Sequence, residues 1–237
     1  MSKLQKFKHR IQLATAYRWF LSVENDLDRM GMENPSVVFD VGAHLGQRTL
    51  HFRKSFPTAS IHSFEPVDEN FKKLKLNTKG KRRIKINQFA LGSAQDTVMM
   101  QTGQSDQTHQ VCRNSKKSPD NGEIPPVRME TIDHYMKHEE IAAIDLLKID
   151  VEGYELEVIG GLPHPVKYLS LEFTSEDIDN FKKCLHRIEE VGKYSFQFSE
   201  GETLKFTFDQ WMDGETLVNS LESKIETQPM LWGDIYC

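Results

Sequence analysis

The stretch from Val37 to Pro66 constrains the fold more than any other part of the chain. A short apolar run, Val37-Val38-Phe39, ends in Asp40-Val41-Gly42-Ala43-His44-Leu45-Gly46. A helix-like segment follows, and a second apolar run, Ala59 to Phe64, ends in Glu65-Pro66. This is a strand, a glycine turn, a helix and a strand, the repeating unit of a parallel sheet. Gly42 allows a tight exit from the first strand, and Gly46 lets a ligand approach the backbone where the helix begins. An acid ending the second strand suits a ribose diol, because one carboxylate accepts hydrogen bonds from both hydroxyls.

The spacing also excludes. D-x-G-x-x-x-G is not the G-x-G-x-x-G of dinucleotide-binding turns, and no G-x-x-x-x-G-K-S/T occurs in the chain. A glycine turn without phosphate-cradling spacing, followed by a ribose-type acid, points to S-adenosylmethionine. The bland alternative is a plain strand–helix turn in some other α/β protein.

Beyond this unit the period keeps alternating. Asp68 to Asn77 reads as a helix, Ile84 to Ala90 as a strand, and Val98 to Met100 as a short extra strand. Residues 101–124 are polar, without apolar periodicity, and read as a long mobile loop of the kind that covers a substrate. Val127 to Ile132 is extended, Asp133 to Glu140 a short helix, Ile144 to Ile149 a buried strand, and Tyr154 to Ile159 a helix stopped by Gly160-Gly161. Tyr168 to Phe173 is a strand, Glu176 to Val191 a helix, and the remainder reads as Phe-rich strands. Helices alternating with apolar strands imply a mostly parallel sheet covered on both faces. Residues 1–34 are expected as a helical extension and 35–237 as the main domain.

Composition bears on location and partners. No apolar run reaches the ~18–20 residues needed to span a bilayer. Cys112, Cys184 and Cys237 are widely spaced and form no C-x-x-C, which fits a reducing, cytoplasmic setting without zinc. A formal charge of −5 argues against a dedicated nucleic-acid binder. The N-terminal stretch is basic up to Arg18 and amphipathic, so it either packs beside the sheet or makes peripheral contact with an anionic membrane. Oligomeric state is not legible.

A second chemical segment is Leu146-Leu147-Lys148-Ile149-Asp150-Val151-Glu152-Gly153-Tyr154-Glu155. An apolar strand ends at Asp150, and a Gly-containing turn leads into a helix. Ligands of open α/β sheets bind beyond the carboxyl ends of the strands, so Asp40, Glu65 and Asp150 are expected to rim one cleft. Glu152 stands in the turn and Glu172 near the end of the following strand, adding two carboxylates. Glu155 is assigned to the favourable charge–dipole position at a helix start.

Here the chain resembles a known family. DVGAHLG followed by FEP, then TIDHY and LLKIDVEGYELEVIGG, are similar to the FkbM-type methyltransferases, and LSLEF and the terminal WGDIY fit the same pattern. The resemblance runs from about Val37 to Tyr236, apart from residues 101–124. It implies a Rossmann-like class I methyltransferase fold, α/β with a mostly parallel seven-strand sheet. It also implies S-adenosylmethionine as cofactor and a hydroxyl of a sugar, glycan or small natural product as acceptor. Asp40, Gly42 and Gly46 match the first cofactor loop, which also holds Ala43 and His44 and leads to Thr49. Glu65, with Pro66 beside it, matches the ribose-binding acid, and Ala90 and Leu91 sit where adenine is lined. Asp150, Glu152 and Gly153 match the family's DVEG turn, and Glu172 the acid after the fifth strand. His44 stands where the wider methyltransferase pattern has its middle glycine.

A hydroxyl acceptor needs a base, and general-base help contributes about 10²–10⁴-fold. The candidates are His44, Asp150, Glu152 and Glu172. His44 or Glu152 is expected as base, with Asp150 positioning cofactor or acceptor. Converging carboxylates could instead hold a divalent cation, though no ligand spacing requires one. His134 and His138 have the i,i+4 spacing of a zinc pair but no third ligand nearby, and read as a surface helix. No D/N-P-P-Y/F/W follows the fourth strand, which disfavours methylation of amino groups on nucleobases or glutamine. Two other readings are open: an RNA-binding methyltransferase using the basic run from Lys72 to Lys85, and a non-catalytic cofactor- or partner-binding protein on this fold.

Overall fold

The computed structural model describes residues 30–32, 34–102, 109–111, 126–201 and 205–237. Most of the expected N-terminal helical extension lies outside the described residues. The first half of the described chain comprises β1 (Val37–Val41), α1 (Gln47–Ser55), β2 (Ser60–Phe64), α2 (Asp68–Asn77) and β3 (Ile84–Asn87). Five short strands follow: β4 (Ala90–Leu91), β5 (Asp96–Val98), β6 (Met100–Thr102), β7 (His109–Val111) and β8 (Val127–Glu130). Then come α3 (Ile132–His138), β9 (Leu146–Ile149), α4 (Glu155–Gly160) and β10 (Tyr168–Thr174). The chain closes with α5 (Ile178–Val191), β11 (Gln197–Glu200), α6 (Gly214–Thr227) and β12 (Trp232–Tyr236).

Seven of these strands form one sheet in the order β3-β2-β1-β9-β10-β12-β11. All its pairings are parallel except those of β12, which runs antiparallel to both neighbours. The strand order reverses at β1, whose neighbours β2 and β9 lie on opposite sides, and this opens a crevice at the carboxyl ends.

The two faces of the sheet differ, because side chains alternate along each strand. One face carries Phe39, Val41, Leu147, Ile149, Leu169, Leu171, Phe173 and Ile235, which join the buried positions of α5 and α6 in one apolar cluster. The opposite face begins apolar, with Val38, Ile61 and Leu146 packed on Phe52 and Phe56. Two residues further along each strand it becomes polar. Ser63, Asp40, Lys148 and Ser170 stand side by side in register across β2, β1, β9 and β10.

Three expectations are corrected. The strand expected from Ile84 to Ala90 is two strands: β3 stays with the main sheet, while β4 joins a separate three-stranded sheet with β8 and β5. The alternation slips at Asn87-Gln88, where two polar residues adjoin, and the switch of sheet falls at that slip. Residues 101–124 are not loop throughout, since β6 pairs antiparallel with β7. Backbone pairing needs no apolar pattern, which is why a polar composition hid it; residues 103–108 and 112–124 lie outside the described residues.

The third correction is α6, in a region expected to be strands. Asp213 caps it by accepting the Thr216 N–H at 2.7 Å, and its Leu217 and Leu221 are fully buried at helical spacing. The flanking Phe residues masked that signal. Leu221→Ala should lower the free energy of unfolding by about 2–5 kcal/mol in urea denaturation, the range for a buried leucine. Asp213→Ala should lower the midpoint as well, and Asp213→Asn should restore it.

Candidate functional site

The turn after β1 is built by backbone geometry. Gly42 has φ +83, and a Cβ there would lie 1.8 Å from the Asp150 carbonyl oxygen, so only glycine lets the β1 turn and the β9 turn touch. Gly42 and Ala43 donate to the Phe64 carbonyl at 3.0 and 2.9 Å, tying the loop to the end of β2. Gly46 is the left-handed N-cap of α1, and its missing Cβ faces Leu74 of α2. Its bareness therefore serves helix packing.

Glu65 holds this loop from the other side. One carboxylate oxygen accepts the His44 N–H and the other the Val67 N–H, both at 2.9 Å. Burial pushes its carboxyl up to about 7, while the Val67 and His44 bonds pull it back. His44 itself has φ 49, an uncommon conformation for a side-chain-bearing residue.

Asp40 lies beneath the rim. It is 2% exposed and accepts the Thr49 hydroxyl at 2.5 Å, which is also 2.8 Å from Ser63 Oγ. Burial raises its carboxyl to about 6 against the Thr49 bond and the charges of Arg48 and Lys148. Ala43, Ala90 and Leu91 are buried, and Pro66 is half-buried.

Beyond β9 the chain makes an unusual turn, with Glu152 at φ 54 and Gly153 at φ 91. The turn brings Asp150, Glu152 and Glu172 together: one carboxylate oxygen from each lies within 4.8 Å of the other two. Burial, then Asp150 and Glu155, raises Glu152 to about 7. Burial and Asp150 likewise raise Glu172. Glu155 is buried and accepts the Gly153 and Val151 N–H groups at 3.1 and 3.3 Å. It braces the turn, a larger part than the helix-start position alone implies.

Lys148 was missed at the sequence level. It is 4% exposed, bonds Asp234 of β12 at 3.1 Å and lies 3.5 Å from Asp150 Oδ2. Burial would lower its ammonium, but Asp234 and Asp150 overcome this and hold it up to about 12, which rules it out as a base at neutral pH. A lysine inside an apolar strand was the available signal, because such a charge is buried only when paired.

The remaining candidates sit on the surface. His134 pairs with Glu130 at 2.5 Å and His138 with Glu139 at 2.9 Å, both largely exposed. The basic run is partly compensated, with Lys72 on Asp68 and Lys85 on Glu139. Among the described residues no helix is long and apolar enough to cross a membrane.

The family model of the methyltransferase FkbM domain matches residues 40–213, spanning the glycine turn, Glu65, the acidic turn and Glu172. The chain belongs to the FkbM methyltransferase family. Methyltransferase 1 of Beauveria bassiana (strain ARSEF 2860) is 26% identical over 145 residues, 54% of this chain and 58% of that protein. The plantazolicin methyltransferase BpumL in complex with SAH shares the fold at TM-score 0.52 and 12% identity, over 99% of this chain and 89% of that one. The methyltransferase FkbM of Methylobacillus flagellatus KT gives TM-score 0.48 at 14% identity, over 74% and 43%. This FkbM-family chain thus spans little more than half of the curated relative and less than half of the Methylobacillus protein. Its architecture is the Rossmann-like class I methyltransferase fold.

Two outcomes test the buried charges. Lys148→Ala leaves Asp150 and Asp234 without their cation and should destabilise the fold by about 3–5 kcal/mol in urea. Asp40 has a folded pKa raised from 3.8 to about 6, so its contribution is complete below the lower value and lost as pH rises through the upper. Wild type should therefore lose about 2–3 kcal/mol relative to Asp40→Asn between roughly pH 4 and 7.

Proposed function

We propose that the chain is an S-adenosylmethionine-dependent O-methyltransferase acting on a hydroxyl of a sugar, glycan or small natural product. The observation that carries this reading is the contact between the two turns: Gly42 touches Asp150, so the glycine loop and the Asp150–Glu152–Glu172 cluster form one site. S-adenosylmethionine, when bound, supplies a methyl group on a sulfonium, which the acceptor oxygen takes as the carbon–sulfur bond breaks.

The residues fit such a group. Glu65 accepts the His44 and Val67 N–H groups on its two oxygens and a third bond from the Asn70 side chain, and of its roughly four acceptor positions the one left is open to a ribose hydroxyl. Gly42, Ala43, His44 and Gly46 line the loop, Ala90 and Leu91 form the adenine side, and Asp40, Thr49 and Pro66 support them from below and beside. Asp150 positions the reacting groups. Glu152, turned into the cluster by its left-handed backbone, takes the acceptor's proton as the oxygen–carbon bond forms. Orientation of acceptor against donor supplies much of the remaining rate.

Incubation of labelled S-adenosylmethionine with glycan and metabolite extracts should yield a labelled product whose label is stable to base, as an ether is. Label found only in amines or esters would overturn the hydroxyl assignment. Glu152→Gln should reduce turnover at least ~10²-fold with little change in cofactor affinity. Glu65→Gln should weaken the cofactor roughly 10-fold by calorimetry, and unchanged affinity in the folded variant would sink the ribose role.

A further inference from the structure

Behind the acidic turn lies a cavity of 450 Å³ whose walls include Glu152, Glu155, Glu172 and Asn180. Two features of its wall lack an explanation in the fold. Glu152 and Glu172 make no hydrogen bond and no ion pair within 4.0 Å among the described residues, although both are half-buried. Asn180, in the first turn of α5, is 9% exposed, and its Oδ1 is buried with no hydrogen-bond partner among the described residues. An unsatisfied buried acceptor of this kind costs about 1–3 kcal/mol unless something fills its lone pairs.

We propose that Asp150, Glu152 and Glu172, with Asn180 Oδ1 on the cavity wall, form a binding site for one hard divalent cation of the magnesium or manganese type. Every donor is oxygen, the preference of these ions and not of zinc or copper. The spacing fits as well. Oxygens bound to one such ion at about 2.1–2.5 Å lie at most about 4–5 Å apart, and the three carboxylate oxygens lie within 4.8 Å of one another. Lys148 does not take this place: its charge reaches Glu172, but its contacts are with Asp234 and one oxygen of Asp150, and it makes no ion pair with Glu152 or Glu172 among the described residues. The cation fills the lone pair of Asn180 and offsets the repulsion of three crowded acids. Its use in catalysis rests on the methyl-transfer reading above: the ion polarises the acceptor hydroxyl, whose proton passes to the oxygen of Glu152 not engaged by the metal.

The test is calorimetry of the full chain with manganese chloride alone, together with the paramagnetic relaxation of solvent water by bound manganese. Wild type should bind one ion saturably. Glu172→Gln should weaken binding at least about 10-fold, and Asn180→Asp, which adds a charged donor, should tighten it several-fold. The second variant keeps the test decisive should Glu172→Gln fail to fold. Absence of saturable binding in wild type, or equal affinity in both folded variants, overturns the site. Cofactor calorimetry in chelator separates the two ideas. Cofactor binding without manganese binding ends the cation site and leaves the methyltransferase reading standing. Manganese binding without cofactor binding does the reverse.

Discussion

The buried ammonium of Lys148 is the constraint around which the functional half of the sheet is organised. It sits in the central strand β9, where desolvation alone would neutralise or expel it. Asp150 stands just past the end of that strand, two residues beyond Lys148, and Asp234 comes from β12, the strand that enters antiparallel between β10 and β11. That insertion places Asp234 directly opposite Glu172, two acids in register that would repel without a nearby cation. Lys148, with the buried Arg48 near enough to act on both it and Asp40, thus supports part of the concentration of carboxylates at the strand ends.

The second organising contact is steric. Because Gly42 has no side chain, the β1 turn lies directly against the Asp150 carbonyl. The loop that matches the family's cofactor turn and the turn that carries the acids are therefore neighbours, with Glu65 fixing the outer edge of the loop. Raised carboxyls at Asp40, Glu65, Glu152 and Glu172 share one first cause, loss of water. Groups so poised are matched to proton transfer near neutrality, and crowded acids of this kind also suit a hard cation.

Much of this was legible. Val37 to Pro66 declares a strand–turn–helix–strand unit, and the spacing of its glycines excludes phosphate-cradling loops. Where the reading failed, a reason can be named. Ile84 to Ala90 reads as one extended run with a slip at Asn87-Gln88, yet its last residues leave the main sheet, since an extended pattern records which face is buried and not which partner strand is chosen. Helix α6 carried a cap and an i,i+4 leucine pair but was obscured by the Phe-rich segments around it. Lys148 was passed over as part of an apolar run, and its partner Asp234 lies 86 residues away.

The sequence by itself determined the alternating α/β order, the glycine turn, the acid at the end of β2 and the acidic turn after β9, because these are local patterns of period, turn chemistry and spacing. Only the tertiary structure decided that Asp40 is buried support, that Glu65 braces the loop it was expected to serve only as a ligand, and that Glu155 braces the turn beside it. It alone brought Asp150 against Glu152 and Glu172, and set those two glutamates with Asn180 around one cavity. Those outcomes depend on strand order and desolvation, which arise from contacts between residues far apart in the chain, and no local pattern encodes them.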